Sequence, residues 1–179
     1  MDEAAADAAL FDGAVACELT ARVRIQPGSP TAGSGDAAER LLRDLAMMED
    51  RRGESDDAAH PPDPALRRLE AKLDLTLQLL AQALPALAPL PLRAVRLSAR
   101  GLRIDASAAD AKVADAVATL VWQPGEGLPL LAYLPVRRLA RQGDTVWWAF
   151  ELLEPALANL FERHVFRLHR RWLAAQRRG

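Results

Sequence analysis

The sequence predicts an α+β protein: a small antiparallel β-barrel interrupted by two helices, one of them long, and closed by a third helix at the C-terminus. Three observations carry this. Cys17, Leu19, Ala21, Val23 and Ile25 alternate with Glu18, Thr20, Arg22 and Arg24, the two-residue period of a half-buried strand. The same period returns only after Pro91, in short segments separated by turn residues. Between them lies PALRRLEAKLDLTLQLLAQAL, residues 64–84, whose apolar period is helical.

That central stretch has defined ends. Asp63 can cap the first turn, Pro64 suits the first helical position because its missing N–H is not needed there, and Pro85 stops the helix. At 1.5 Å per residue the element is roughly 31 Å long, about three heptads. With Leu66 at position a, Leu69 falls at d, Leu73 at a, Thr76 at d, Leu80 at a and Ala83 at d, while Leu77 and Leu84 fall at e and Leu79 at g. Apolar e and g positions widen the seam beyond what a dimer covers. Each buried Leu is worth on the order of 2 kcal/mol, which favours copies of the helix meeting one another in a higher-order bundle, or extra helices packed on its flanks. An ordinary core helix, apolar nearly all round, is the alternative.

Residues 1–14 are rich in Ala and Asp without a strong apolar period, which predicts a flexible N-terminus with at best a marginal helix. PGSPTAGSG, residues 27–35, reads as a connection. Asp36 and Glu39 then resemble a capping box opening a helix to Asp50, with Ala38, Leu41, Leu42, Leu45 and Met48 as a single stripe suited to lie against the long helix. RRGESDDAAHPPD, residues 51–63, reads as a polar linker. Leu92–Ser98 and Leu102–Ile104 are predicted strands around a turn, Val117–Gln123 another, and Leu130–Leu139 with Thr145–Leu152 a hairpin across Gln142-Gly143-Asp144. Adjacent Trp147 and Trp148 must point to opposite faces, so one needs a helix or partner over it. A helix from about Pro155 carries Leu157, Leu160, Phe161, Val165, Leu168, Trp172 and Ala175 on one side and arginines elsewhere. The predicted organisation is thus a barrel with terminal helix from residues 15–26 and 92–177, interrupted by a helical oligomerisation insertion at 27–91.

With 179 residues, 50% hydrophobic and 26% charged, the chain has the composition of one globular domain plus an appendage. The net charge of −1 conceals an asymmetry: residues 1–64 carry 14 acids against 6 bases, and residues 65–179 carry 10 acids against 17 bases. The two parts are expected to attract. Nucleic-acid binding is disfavoured because the four Trp are not interleaved with the arginines. The acidic N-terminus is unlike a signal peptide, and Gln82, Pro85, Pro89 and Pro91 break the longest apolar region. A cytoplasmic protein without membrane insertion is expected.

Cys17 stands alone, so no disulfide framework or CxxC site is available, and its place on the inward face predicts simple burial. His164 and His169 are about 140° apart around a helix and His60 lies elsewhere, so no metal site converges. Phosphate-binding loops and HExxH are absent from the sequence. No catalytic residues, metal or cofactor are therefore assigned, and an enzyme is not expected.

One motif stands out: Arg96-Leu97-Ser98-Ala99-Arg100-Gly101-Leu102, with a Ser and a Gly three apart at a strand-to-strand turn. Here the chain resembles the PilZ domain family, whose barrels carry (D/N)-x-S-x-x-G at such a turn and RxxxR just before the first strand. The resemblance covers residues 15–26 and 92–177. It implies cyclic di-GMP signalling, with arginines gripping phosphates and guanine faces bidentately and by stacking. In this sequence Arg96 replaces the acid or amide and cannot accept a hydrogen bond, and Gly13–Glu18 holds no arginine. Arg137 and Arg141 have the right spacing on the other side of the motif. Ser98, Gly101, Arg137 and Arg141 are thus the candidate ligand residues, although turn chemistry explains Ser98 and Gly101 equally well.

The family also includes a tetrameric type whose barrel is interrupted by long helices, one with heptad repeats forming a parallel four-stranded coiled coil, and the sequence looks like that type. The expected function is a non-enzymatic adaptor: a homotetramer built on residues 64–84 that acts with a protein partner in cyclic di-GMP-linked regulation of motility or virulence, with weak or absent nucleotide binding. A direct receptor using Arg137, Arg138, Arg141 and Ser98 is the rival, and a DNA-binding oligomer a third possibility.

Overall fold

The computed structural model describes residues 1–57, 65, 68, 69, 72, 73, 76, 90–105, 113, 117–124, 131–151 and 154–177, without the side chains of 48–57. Six antiparallel strands close into one barrel: β1 (Ala16–Pro27), β2 (Leu92–Ser98), β3 (Gly101–Asp105), β4 (Val117–Gln123), β5 (Ala132–Gln142) and β6 (Thr145–Phe150). Their order around the barrel is β1-β2-β3-β6-β5-β4, and β4 pairs back to β1. Closure leaves no free sheet edge. The expected α+β barrel is borne out.

The barrel strands follow their sequence periods. In β1 the side chains of Cys17, Ala21, Val23 and Ile25 are buried while Glu18, Thr20 and Arg22 face out. The long strand serves two neighbours, pairing with β2 over Ala16–Arg22 and with β4 over Arg22–Pro27. β5 and β6 form the expected hairpin, with Gly143 at φ +55° supplying the left-handed residue of the turn. A register shift between Arg138 and Ala140 bulges β5.

Three helices are described around the barrel: α1 (Glu3–Phe11), α2 (Ser34–Asp57) and α3 (Pro155–Gln176). α3 begins at its proline and packs on β1 and α2, with Leu157, Phe161 and Val165 joining the barrel core. Phe161 meets Trp122 and Phe150 edge-on, with ring centroids 5.5 and 4.7 Å apart. α2 presents Ala38, Leu41, Leu42 and Leu45 as a single buried stripe, and it packs on β5 and α3. Both α2 and α3 therefore pack on the barrel.

Two expectations are corrected. Residues 51–57 continue α2 and are not linker. Arg and Glu are good helix formers, so a polar segment can continue a helix as readily as end one. Residues 1–14, expected to be flexible, contain a docked helix instead: Asp2 caps α1 by accepting from the Ala5 N–H at 2.8 Å, and Ala6, Leu10 and Phe11 are buried against the barrel. Of the heptad positions, Leu69, Leu73 and Thr76 are helical and exposed, with the Thr76 hydroxyl donating to the Lys72 carbonyl at 2.8 Å. Leu66, Leu77, Leu80, Ala83 and Leu84 lie outside the described residues.

Candidate functional site

The turn between β2 and β3 sets the geometry of the motif face. Because β2 and β3 pair around it, Arg96 lies directly opposite Arg103, and Arg103 in turn lies opposite Trp147 on β6. Three side chains thus form one row across three strands, on the outer surface of the barrel. Two like charges facing each other on a sheet repel, and an anion between them removes the penalty. Here that anion is Asp7 of α1.

Asp7 Oδ2 accepts from Arg96 Nη1 at 2.9 Å, while Oδ1 accepts from Arg103 Nη1 at 3.1 Å and from the Trp147 indole N–H at 2.9 Å. Partial burial pushes the Asp7 carboxyl up, but the Trp147 hydrogen bond and the Arg103 and Arg96 charges outweigh it and hold the carboxyl below its ordinary range. The Arg96 guanidinium also lies over the Phe11 ring, 4.3 Å from its centroid. Arg100 Nη1 donates to the Asp12 carbonyl at 3.0 Å, at the C-terminal end of α1, where a cation complements the helix dipole. The attraction expected between the acidic N-terminal part and the basic remainder is realised in this contact.

Ser98 and Gly101 lie beneath the same helix. The Ser98 hydroxyl is fully buried, donates to the Leu10 carbonyl at 2.8 Å and accepts from the Arg100 N–H at 3.1 Å. A Cβ on Gly101 would lie 2.2 Å from the Trp148 carbonyl oxygen and 2.8 Å from Leu10 Cδ2. Both motif residues are engaged in turn formation and helix docking. Trp147 and Trp148 divide as required: Trp148 lies in the barrel core, and Trp147 packs with Ala140 under Leu10 and Phe11.

Arg137 and Arg141 are not gathered around Ser98. Arg137 shares a row with Ala149 and Gly101, two strands from the motif, and its Nε donates to Glu151 at 2.6 Å. Arg141 lies opposite Val146 near the hairpin end, and its Nε donates to the Gly143 carbonyl at 3.2 Å. An open groove of about 540 Å³ adjoins the arginine row, but Glu18 and Asp105 line it together with Arg96 and Arg103. Cys17 is buried, which raises its thiol pKa to about 11. Among the described residues no group of three or more His, Cys, Asp or Glu side chains is placed to hold a metal, and no helix is long and apolar enough to cross a membrane.

Sequence reasoning missed Asp7, Arg96 and Arg103 as a unit. The signal was present: two arginines placed symmetrically about a four-residue turn must face each other if that turn closes a hairpin.

Residues 42–178 match the family model of the atypical PilZ domain, described as a cyclic di-GMP receptor. A solved structure of a pathogenic protein from Xanthomonas campestris, described as a tetrameric PilZ domain self-assembled via a helical bundle, is 34% identical to this chain. That alignment covers 96% of this chain and 97% of the other, with a TM-score of 0.74. No curated protein matches. With a six-stranded barrel, the Ser98/Gly101 turn and a family match that spans most of its length, the chain belongs to the atypical PilZ domain family.

Proposed function

We propose that this protein is a non-enzymatic adaptor in cyclic di-GMP-linked regulation, assembled as a homotetramer through the helix of residues 64–84, with weak or no direct nucleotide binding. The observation that carries the last part is the cover over the motif: Ser98 is bonded to Leu10, Gly101 is filled against by Leu10 and Trp148, and Asp7 occupies the arginine row. A nucleotide seated on these residues must first remove α1.

Assembly is supported by two observations. Leu69 and Leu73 are helical and 54% and 55% exposed in the isolated chain, at the d and a positions of the predicted seam. The Xanthomonas campestris protein, similar over nearly its whole length, is described as a tetramer formed via a helical bundle. In this reading residues 27–91 are the oligomerisation insertion, residues 15–26 and 92–177 the barrel it carries, and the protein acts in the cytoplasm through a protein partner affecting motility or virulence.

The rival reading is a direct receptor, the class of protein that the family description names, with Arg137, Arg138, Arg141 and Ser98 proposed as an unconventional nucleotide site. Two measurements decide. Light scattering is expected to give the mass of four chains, reduced to one by Leu73→Lys with Leu80→Lys, which bury repelling charges at the seam. A wild-type monomer overturns the assembly. Calorimetric titration with cyclic di-GMP is expected to give little heat; tight binding abolished by Arg137→Ala establishes the receptor instead.

A further inference from the structure

The face beneath α1 is built for an acidic amphipathic helix, and we propose that it is a docking site which α1 occupies in cis and which an acidic amphipathic helix of the partner protein occupies in trans. This rests on the adaptor reading and deepens it by naming the chemistry of the partner.

The occupant already in place defines what the site recognises. From α1 it takes one carboxylate, Asp7, and two apolar anchors three and four residues later, Leu10 and Phe11. Those positions share one helical face. The carboxylate meets three converging donors from Arg96, Arg103 and Trp147, and the anchors cover Trp147 and Ala140. Arg100 meets the C-terminal carbonyls of the helix. A partner helix with an acid at i and large apolar residues at i+3 and i+4 meets every one of these requirements.

The cis occupant is short, and its ion pairs are partly exposed. α1 has nine residues, too few to hold a helix in water without a surface to pack on. Its only buried side chains are Ala6, Leu10 and Phe11, and the Asp7 carboxylate is about 30% exposed, so its ion pairs are screened by salt. Gly13, at φ +66°, provides the bend between α1 and β1. When α1 departs, the facing pair Arg96 and Arg103 is left without its anion, and this favours capture of another acidic helix.

The test uses the full chain and the Trp147 indole N–H as reporter, its NMR resonance assigned with Trp147→Phe. In Asp7→Arg the added charge opposes Arg96 and Arg103, and the Trp147 resonance is expected to shift. A synthetic peptide of residues 1–13, added at about millimolar concentration to replace the effective concentration of the tether, is expected to return it to the wild-type position. Arg103→Glu in the same chain is expected to weaken the peptide by about tenfold or more. No response to peptide, or a response unchanged by Arg103→Glu, overturns the proposal. Restoration by cyclic di-GMP and not by peptide also overturns it and makes the face a nucleotide site. If Asp7→Arg fails to fold, hydrogen exchange of the wild type decides: α1 amides exchanging faster than those of β2 and β3, and faster still as salt is raised, support the proposal, and protection equal to the strands overturns it. Failure of docking with the tetramer intact removes only this inference; a monomer that binds peptide removes only the assembly.

Discussion

The closest approach to the motif glycine comes from Trp148: a Cβ on Gly101 would sit 2.2 Å from its carbonyl oxygen and 3.0 Å from Ala149 Cα. β3 and β6 are backbone against backbone at this point, so neither can yield by changing a rotamer. Gly101→Ala is expected to destabilise the protein by about 1–3 kcal/mol. The check is a urea denaturation midpoint against wild type. An unchanged midpoint refutes the close approach.

The two neighbouring tryptophans of β6 are expected to respond differently. Trp148 is 1% exposed in the barrel core, and among the described residues its indole nitrogen has no hydrogen-bond partner. Trp148→Ala is therefore expected to cost about 3–5 kcal/mol, and Trp148→Phe, which loses no bond, markedly less. Trp147→Phe keeps an aromatic surface but deletes the N–H that Asp7 accepts, so its effect is expected in faster exchange of α1 amides, with the barrel strands unchanged.

His164 makes stability depend on mildly acidic pH. It is 1% exposed, edge-on to Trp122 at 5.2 Å, and both ring nitrogens lack partners among the described residues. Burial, and after it the charges of Arg167 and Arg171, lower its pKa to about 4. The unfolded chain takes up a proton near pH 6.5 and the folded chain does not. Stability is thus complete above pH 6.5 and is lost as pH falls from there toward 4, by up to roughly 3 kcal/mol. Urea titrations at several pH values are expected to show this slope in wild type and a flatter one in His164→Phe.

Asp7 behaves with the usual sign of a paired carboxylate. Its pKa is lowered in the folded state, so its contribution is present above the ordinary carboxylate range and disappears as pH falls through the lowered value. A carbon-detected NMR titration is expected to give a midpoint below that of a free aspartate, moving up as salt screens Arg96 and Arg103. The Trp147 indole resonance is expected to follow the same midpoint in wild type and to show no such step in Asp7→Asn. A normal midpoint contradicts the three-donor contact.

The sequence by itself determined the barrel wall. A two-residue period is visible wherever one face of a strand is wet, so β1, the strands flanking Ser98 and Gly101, and the hairpin across Gly143 were readable within a few residues. It also required Trp147 and Trp148 to part, since adjacent strand residues have no other choice. Only the tertiary structure decided what covers Trp147. α1 carries too few large apolar residues to announce itself, and what holds it comes from residues up to 140 positions away. Tertiary pairing likewise brought Trp147 of β6 into the row of the Arg96–Arg103 hairpin, because register between strands distant in sequence is a relation that no single segment contains.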